Sequence, residues 1–143
     1  MRTRVPKDEI ELLGRVPIFS HCNQNELRDI ARLGTQLDVP QGKELITEGT
    51  RGVEFFLIVD GEAECTVRGT TVAVLGPGDY FGEMALLDGG TRSATIRAAS
   101  PMRVTVLHAS EFSSLLHAAP SISLKLLANL AGRLRDAEAS AIH

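Results

Sequence analysis

Apolar residues recur along this chain with two different periods, and the switches between them divide it into three parts. Near the start, Ile10, Leu12 and Leu13 predict a short helix that Gly14 and Pro17 stop. Asn23 with Glu26 three residues later forms a capping box. The asparagine oxygen accepts an orphan amide while the glutamate reaches back. The helix it opens carries Leu27, Ile30 and Ala31 at helical spacing and ends near Gly34.

From about Gln36 to His108 the period becomes two. Ala63, Cys65 and Val67 alternate with Glu62, Glu64, Thr66 and Arg68, the pattern of a half-buried strand. Residues 55–59 are apolar throughout, which predicts a strand covered on both faces. Residues 72–75, 94–98 and 103–108 supply further strands. Gln41-Gly42, Glu48-Gly49, Asp60-Gly61, Arg68-Gly69 and Gly76-Pro77-Gly78 read as the turns between them. Many short strands with closely spaced turns predict a sandwich, barrel or jelly roll.

Beyond the strands, Ser110 is placed to cap a helix through Phe112, Leu115 and Leu116, and Pro120 marks the first turn of another. In that last helix Leu127, Leu130, Leu134 and Ala137 form a stripe that wants cover; small and polar residues beyond about Glu138 predict fraying. The expected fold is mainly β with flanking helices. A strand-rich middle with the pattern of a sandwich, barrel or jelly roll (36–108) follows a helical lead-in (8–34) and precedes two C-terminal helices (110–138), in a single domain over residues 1–143.

A length of 143 residues suits one domain with a substantial core. With 43% hydrophobic and 23% charged residues, the composition is that of a globular protein in water. No apolar run is long enough to span a bilayer and no signal peptide opens the sequence, so a cytoplasmic location is expected. A net charge of −3, no tryptophan and one tyrosine argue against a nucleic-acid surface. Cys22 and Cys65 lie far apart, and His21, His108, His117 and His143 are scattered singly, so neither a redox pair nor a metal site is indicated. No paired carboxylates or Ser/His arrangement suggests catalysis. Cys65 itself reads as a small core residue of its strand.

Residues 81–95, Phe-Gly-Glu-Met-Ala-Leu-Leu-Asp-Gly-Gly-Thr-Arg-Ser-Ala-Thr, carry the chemistry. Arg92 offers a planar fork for an anionic oxygen. The turn through Gly82 to Ala85, continued as a short helix, can present free amides to the same anion. Ser93 adds a hydroxyl, and Ala94 is small enough for its amide to come close. Glu83 would repel a phosphate, so its presence needs a reason. Accepting a hydrogen bond from a ribose 2′-hydroxyl is one, and it would also orient Arg92. Taken alone, Glu83 and Arg92 read equally well as a surface ion pair; a simple turn, however, requires neither the glutamate nor the Arg-Ser-Ala-Thr run.

This stretch resembles the phosphate-binding cassette of the cyclic nucleotide-binding domain family. Leu75-Gly76-Pro77-Gly78-Asp79-Tyr80-Phe81-Gly82-Glu83 resembles its start and Thr91-Arg92-Ser93-Ala94-Thr95 its end, with Gly42, Gly49 and Gly61 where the family's β-roll turns. The likeness covers about residues 16–135 and implies that the strand-rich middle (36–108) is an antiparallel, jelly-roll-like β-roll with N-terminal helices and a C-terminal two-helix lid. Thr91 departs from a frequent proline, and Val53 from a frequent acidic residue. The resemblance implies that Gly82, Glu83 and Ala85 hold ribose and phosphate, that Arg92 and Ser93 contact the phosphate, and that Val67 and Met84 line the base pocket. It implies a last helix that swings over the ligand, with Arg133 stacked on the purine or simply solvated, and Leu134 and Ala137 as alternative caps. Ser93 beside Arg92 favours cyclic AMP over cyclic GMP.

The expected function is a sensor without a catalytic role, a metal or a cofactor. An effector domain or a partner protein would receive its signal, and it could form a homodimer. No helix-turn-helix follows the last helix, so DNA reading by this chain alone is not expected. The alternatives are a vestigial binding domain acting as a protein-interaction module, or a sensor fragment of a larger transcription factor, channel or enzyme.

Overall fold

The computed structural model of the chain describes residues 7–16 and 19–142. The basic start (residues 1–6), Pro17 and His143 therefore lie outside the described residues. The lead-in consists of α1 (Lys7–Gly14) and α2 (Gln24–Leu33). The capping box that opens α2 is present: Glu26 N–H donates to the Asn23 side chain at 2.8 Å, and Asn23 N–H donates to the Glu26 carboxylate at 2.9 Å.

Eight strands follow: β1 (Thr35–Val39), β2 (Glu44–Ile46), β3 (Glu54–Asp60), β4 (Ala63–Val67), β5 (Thr70–Leu75), β6 (Tyr80–Phe81), β7 (Thr95–Ala98) and β8 (Met102–His108). They form two four-stranded antiparallel sheets, ordered β1-β8-β3-β6 and β2-β7-β4-β5. A short helix, α3 (Glu83–Asp88), interrupts the strands after β6, and α4 (Ala109–Ala118) and α5 (Pro120–Ile142) close the chain. This is a β-roll with flanking helices.

Two cores divide the apolar residues, and β3 belongs to both. Phe56 and Ile58 face the space between the sheets with Ile46, Ala63, Phe81, Ile96 and Val104. Phe55 and Leu57 face the helices, against Leu13, Ile30, Phe112, Leu115 and Ile122. The continuous apolar run of β3 is thus a strand buried on both faces. Stacked rings mark each side: Phe55 lies 4.8 Å from Phe112, and Phe56 lies 4.9 Å from Phe81.

The C-terminal helices differ from expectation in three respects. The N-cap of α4 is His108, not Ser110; its backbone N–H donates to the Glu111 carboxylate at 2.9 Å. Helix α5 continues to Ile142 rather than ending near Glu138. It seats through Ile122, Leu126 and Leu130, which recur every four residues. Leu127 and Leu134, expected in the covered stripe, stand on the outer side and are 61% exposed.

Candidate functional site

The site is assembled around the turn between β6 and α3. Gly82 caps α3 in the left-handed region at φ +94°, and a Cβ there would lie 2.6 Å from the Glu54 carbonyl oxygen. Both the backbone angle and the close approach call for glycine. The turn carries Glu83, the first residue of α3, to a position where it is only 2% exposed.

Arg92 approaches from the loop that follows α3. Its backbone is tied to the β2–β3 loop, donating to the Thr50 carbonyl at 2.8 Å and accepting from Gly49 N–H at 2.9 Å. The guanidinium donates to the Gly82 carbonyl at 3.1 Å and to the Glu54 carbonyl at 3.0 Å. At 4% exposure, burial pulls its pKa down, while the carboxylates of Glu54 and Glu83 act in the opposite direction. A guanidinium retains its proton under such a load.

Glu83 and Arg92 do not pair with each other. The Glu83 carboxylate accepts from Arg133 Nη1 of α5 at 2.7 Å. A cation held by neutral carbonyls and a buried carboxylate tied to a distant helix therefore share one space. That space is a cavity of about 310 Å³, lined by Gly82, Glu83, Met84, Ala85, Arg92, Ser93, Ala94 and Arg133.

The apolar side of the cavity follows from strand register. Ile46 lies opposite Ile96, Ile96 opposite Cys65, and Cys65 opposite Ala73, making one row across β2, β7, β4 and β5. All four residues line the cavity, joined by Leu75, Tyr80 and Phe81. Sequence reasoning missed this row, because it becomes visible only when the pairing of four separate strands is known. Burial raises the pKa of the Cys65 thiol, with the Arg133 charge opposing the shift.

Three expected residues are not among those lining the cavity. Val67 lies beyond the paired stretch of β4 and β7, past an irregularity in the β4–β5 register, where it pairs with Thr70 at the hairpin end. Leu134 follows Arg133 and turns outward, while Ala137 stands a turn further along α5 and is exposed. Helix α4 contributes no lining residue either; of the two C-terminal helices, α5 alone reaches the cavity, through Arg133.

A second cavity of about 440 Å³ lies beside the first, between α5 and the turn before β6. Leu75, Tyr80 and Arg133 are common to both. Across it, Asn129 Nδ2 donates to the Tyr80 hydroxyl at 2.8 Å. Burial raises the Tyr80 pKa, and the Asn129 bond opposes that shift. No group of three or more metal-ligating side chains occurs among the described residues. No helix among them is long and apolar enough to cross a membrane.

The family profile described as the cyclic nucleotide-binding domain matches residues 36–119. A cAMP-dependent protein kinase regulatory subunit of Yarrowia lipolytica is 42% identical over 106 residues, covering 73% of this chain and 28% of that protein. A cyclic nucleotide-gated potassium channel of Mesorhizobium japonicum is 34% identical over 131 residues, covering 92% of this chain and 36% of the channel. The structure of cAMP-bound PfPKA-R superimposes with a TM-score of 0.82 at 30% identity, covering 90% of this chain and 45% of the other. The chain thus spans less than half the length of each of these relatives, from 28% to 45%. The profile match extends over more than half of the chain and includes every cavity-lining residue except Arg133, so the chain belongs to the cyclic nucleotide-binding domain family.

Proposed function

We propose that this chain is a sensor module that binds cyclic AMP in the cavity between the β-roll and α3. One observation carries the reading. A buried cation and a buried carboxylate line the same cavity without neutralising each other. A cyclic nucleotide matches that arrangement, since its phosphate requires a donor cation and its ribose 2′-hydroxyl requires an acceptor.

Arg92, with Ser93 and the backbone around Ala94, takes the phosphate. Glu83 takes the 2′-hydroxyl, and Gly82 and Ala85 let the α3 backbone approach. The purine lies along the row Ile46, Ile96, Cys65 and Ala73, with Met84 and Arg133 at its edge. Serine beside the arginine supports cyclic AMP over cyclic GMP. Because Arg133 reaches Glu83, nucleotide and α5 meet at the same carboxylate. The ligand then shifts α5 by its differential affinity for the docked helix over any displaced one. An effector outside this chain receives the change.

Calorimetric titration with cyclic AMP, cyclic GMP and 5′-AMP tests the reading. The expected order is cyclic AMP, then cyclic GMP, then 5′-AMP. Arg92→Ala should lose about tenfold or more in cyclic AMP affinity through loss of a charge-assisted bond. Equal affinity in the variant would refute the phosphate site.

A further inference from the structure

Gly52, in the loop between β2 and β3, is not at a left-handed φ, so turn geometry does not account for it. Its surroundings do. A Cβ at this position would lie 2.3 Å from Arg92 Nη2, 2.4 Å from Nε and 2.6 Å from Cζ. The Nε–Nη2 edge of the guanidinium therefore lies directly against the Gly52 backbone. On its other edge, a Cβ at Gly82 would come within 3.0 Å of Nη1. The two glycines thus flank the guanidinium along two of its edges.

That contact matters because no direct ion pair among the described residues fixes Arg92. Its two side-chain bonds go to the carbonyls of Gly82 and Glu54, and none of the ion pairs among the described residues includes it. A carboxylate partner would fix the arginine but spend its charge. Neutral carbonyls leave the charge available and leave orientation to shape. We propose that Gly52 is the positioning residue for the anion-binding arginine, keeping the Arg92 fork aimed into the cavity by leaving its Nε–Nη2 edge the room that a side chain would fill. The inference rests on the nucleotide reading only in taking the anion to be the ligand's phosphate.

A methyl group at residue 52 would be accommodated by Arg92 and not by the backbone. The loop is fastened to the Arg92 main chain by the Thr50 and Gly49 hydrogen bonds, and the colliding atoms are the far end of a flexible side chain. The guanidinium leaves its carbonyls while the roll stays folded.

The test compares Gly52→Ala in two backgrounds, Arg92 and Arg92→Lys, because the shorter lysine carries no guanidinium over residue 52. With cyclic AMP as the probe, Gly52→Ala should weaken binding about tenfold or more beside Arg92 and less than about twofold beside lysine, a non-additivity that marks a shared mechanism. A second readout needs no ligand. Nitrogen-15 spectra should show slowly exchanging guanidinium protons that vanish in Arg92→Lys, and Gly52→Ala should remove them while leaving the dispersed amide spectrum in place. Retention of those protons in Gly52→Ala, or an equal loss of affinity in both backgrounds, would overturn the assignment. Absence of cyclic nucleotide binding by the unmodified chain would overturn the nucleotide reading instead, and the guanidinium protons would still judge Gly52.

Discussion

Arg133 and Glu83 meet at 2.7 Å from opposite settings: the glutamate side chain is 3% exposed and the arginine side chain 57%. The carboxylate at the head of α3 thus has its ionic partner on α5, fifty residues away. Solvent at the arginine end weakens the attraction, but removing the arginine leaves a buried carboxylate without its hydrogen-bonded ion-pair partner. We predict that Arg133→Ala lowers stability by about 1–2 kcal/mol in urea unfolding. Arg133→Lys should recover part of that loss. An unchanged midpoint in Arg133→Ala would show that the pair contributes nothing to the fold.

The buried carboxylate should also discriminate among ligands. If it accepts the ribose hydroxyl, the chain prefers cyclic AMP over its 2′-deoxy analogue by about tenfold or more. Glu83→Gln should narrow that ratio to within a few-fold. A competition assay with both ligands on both proteins reads the ratio directly, and a ratio that survives the substitution places the hydroxyl elsewhere.

Two thiols offer a chemical footprint of the cavity. Burial raises the pKa of both Cys22 and Cys65, and only thiolate reacts. Alkylation should therefore be slow near neutral pH and quicken as pH rises past the ordinary thiol value of about 8.5. Cyclic AMP should shield Cys65, which lines the cavity, and leave Cys22 unaffected beside Ser121 in the helical layer. Peptide mapping after timed alkylation separates the two sites; equal rates with and without nucleotide at Cys65 would contradict the proposed base position.

The seat of α5 distinguishes adjacent leucines. Leu126 is 3% exposed and Leu127 61%. Leu126→Ala should destabilise the chain by about 2–5 kcal/mol, the range for a buried cavity, and Leu127→Ala should stay within about 0.5 kcal/mol. Parallel thermal or urea melts check the contrast.

What the sequence disclosed and what it concealed follow from the range of the interactions. Asn23 and Glu26 cap a helix through contacts three residues apart, and the order Gly82, Glu83, Arg92, Ser93 lies within one short segment, so both could be recognised from spacing. The Ile46–Ile96–Cys65–Ala73 row requires the register of four strands, and the irregularity after Cys65 displaces Val67 from it. On α5, apolar residues occur nearly all around the helix, and periodicity alone picks the stripe through Leu127, Leu130, Leu134 and Ala137. Packing against Phe55 and Leu57 selected Ile122, Leu126 and Leu130 over Leu127 and Leu134. The Tyr80–Asn129 and Glu83–Arg133 bonds join residues about fifty positions apart and left no local trace.

The two-sided burial of β3 has a consequence for how this chain tolerates change in length. Phe55 and Leu57 serve one core while Phe56 and Ile58 serve the other. Inserting or deleting one residue within this run would exchange the two sets in a single step, sending each ring to the wrong layer. The loop just before it, residues 47–53, also cannot drift freely, because it is fastened to the backbone of Arg92. Indels should therefore be accepted at the Arg68–Gly69 hairpin and excluded from the stretch running from Gly49 to Ile58, which acts as the fixed ruler against which both layers are measured.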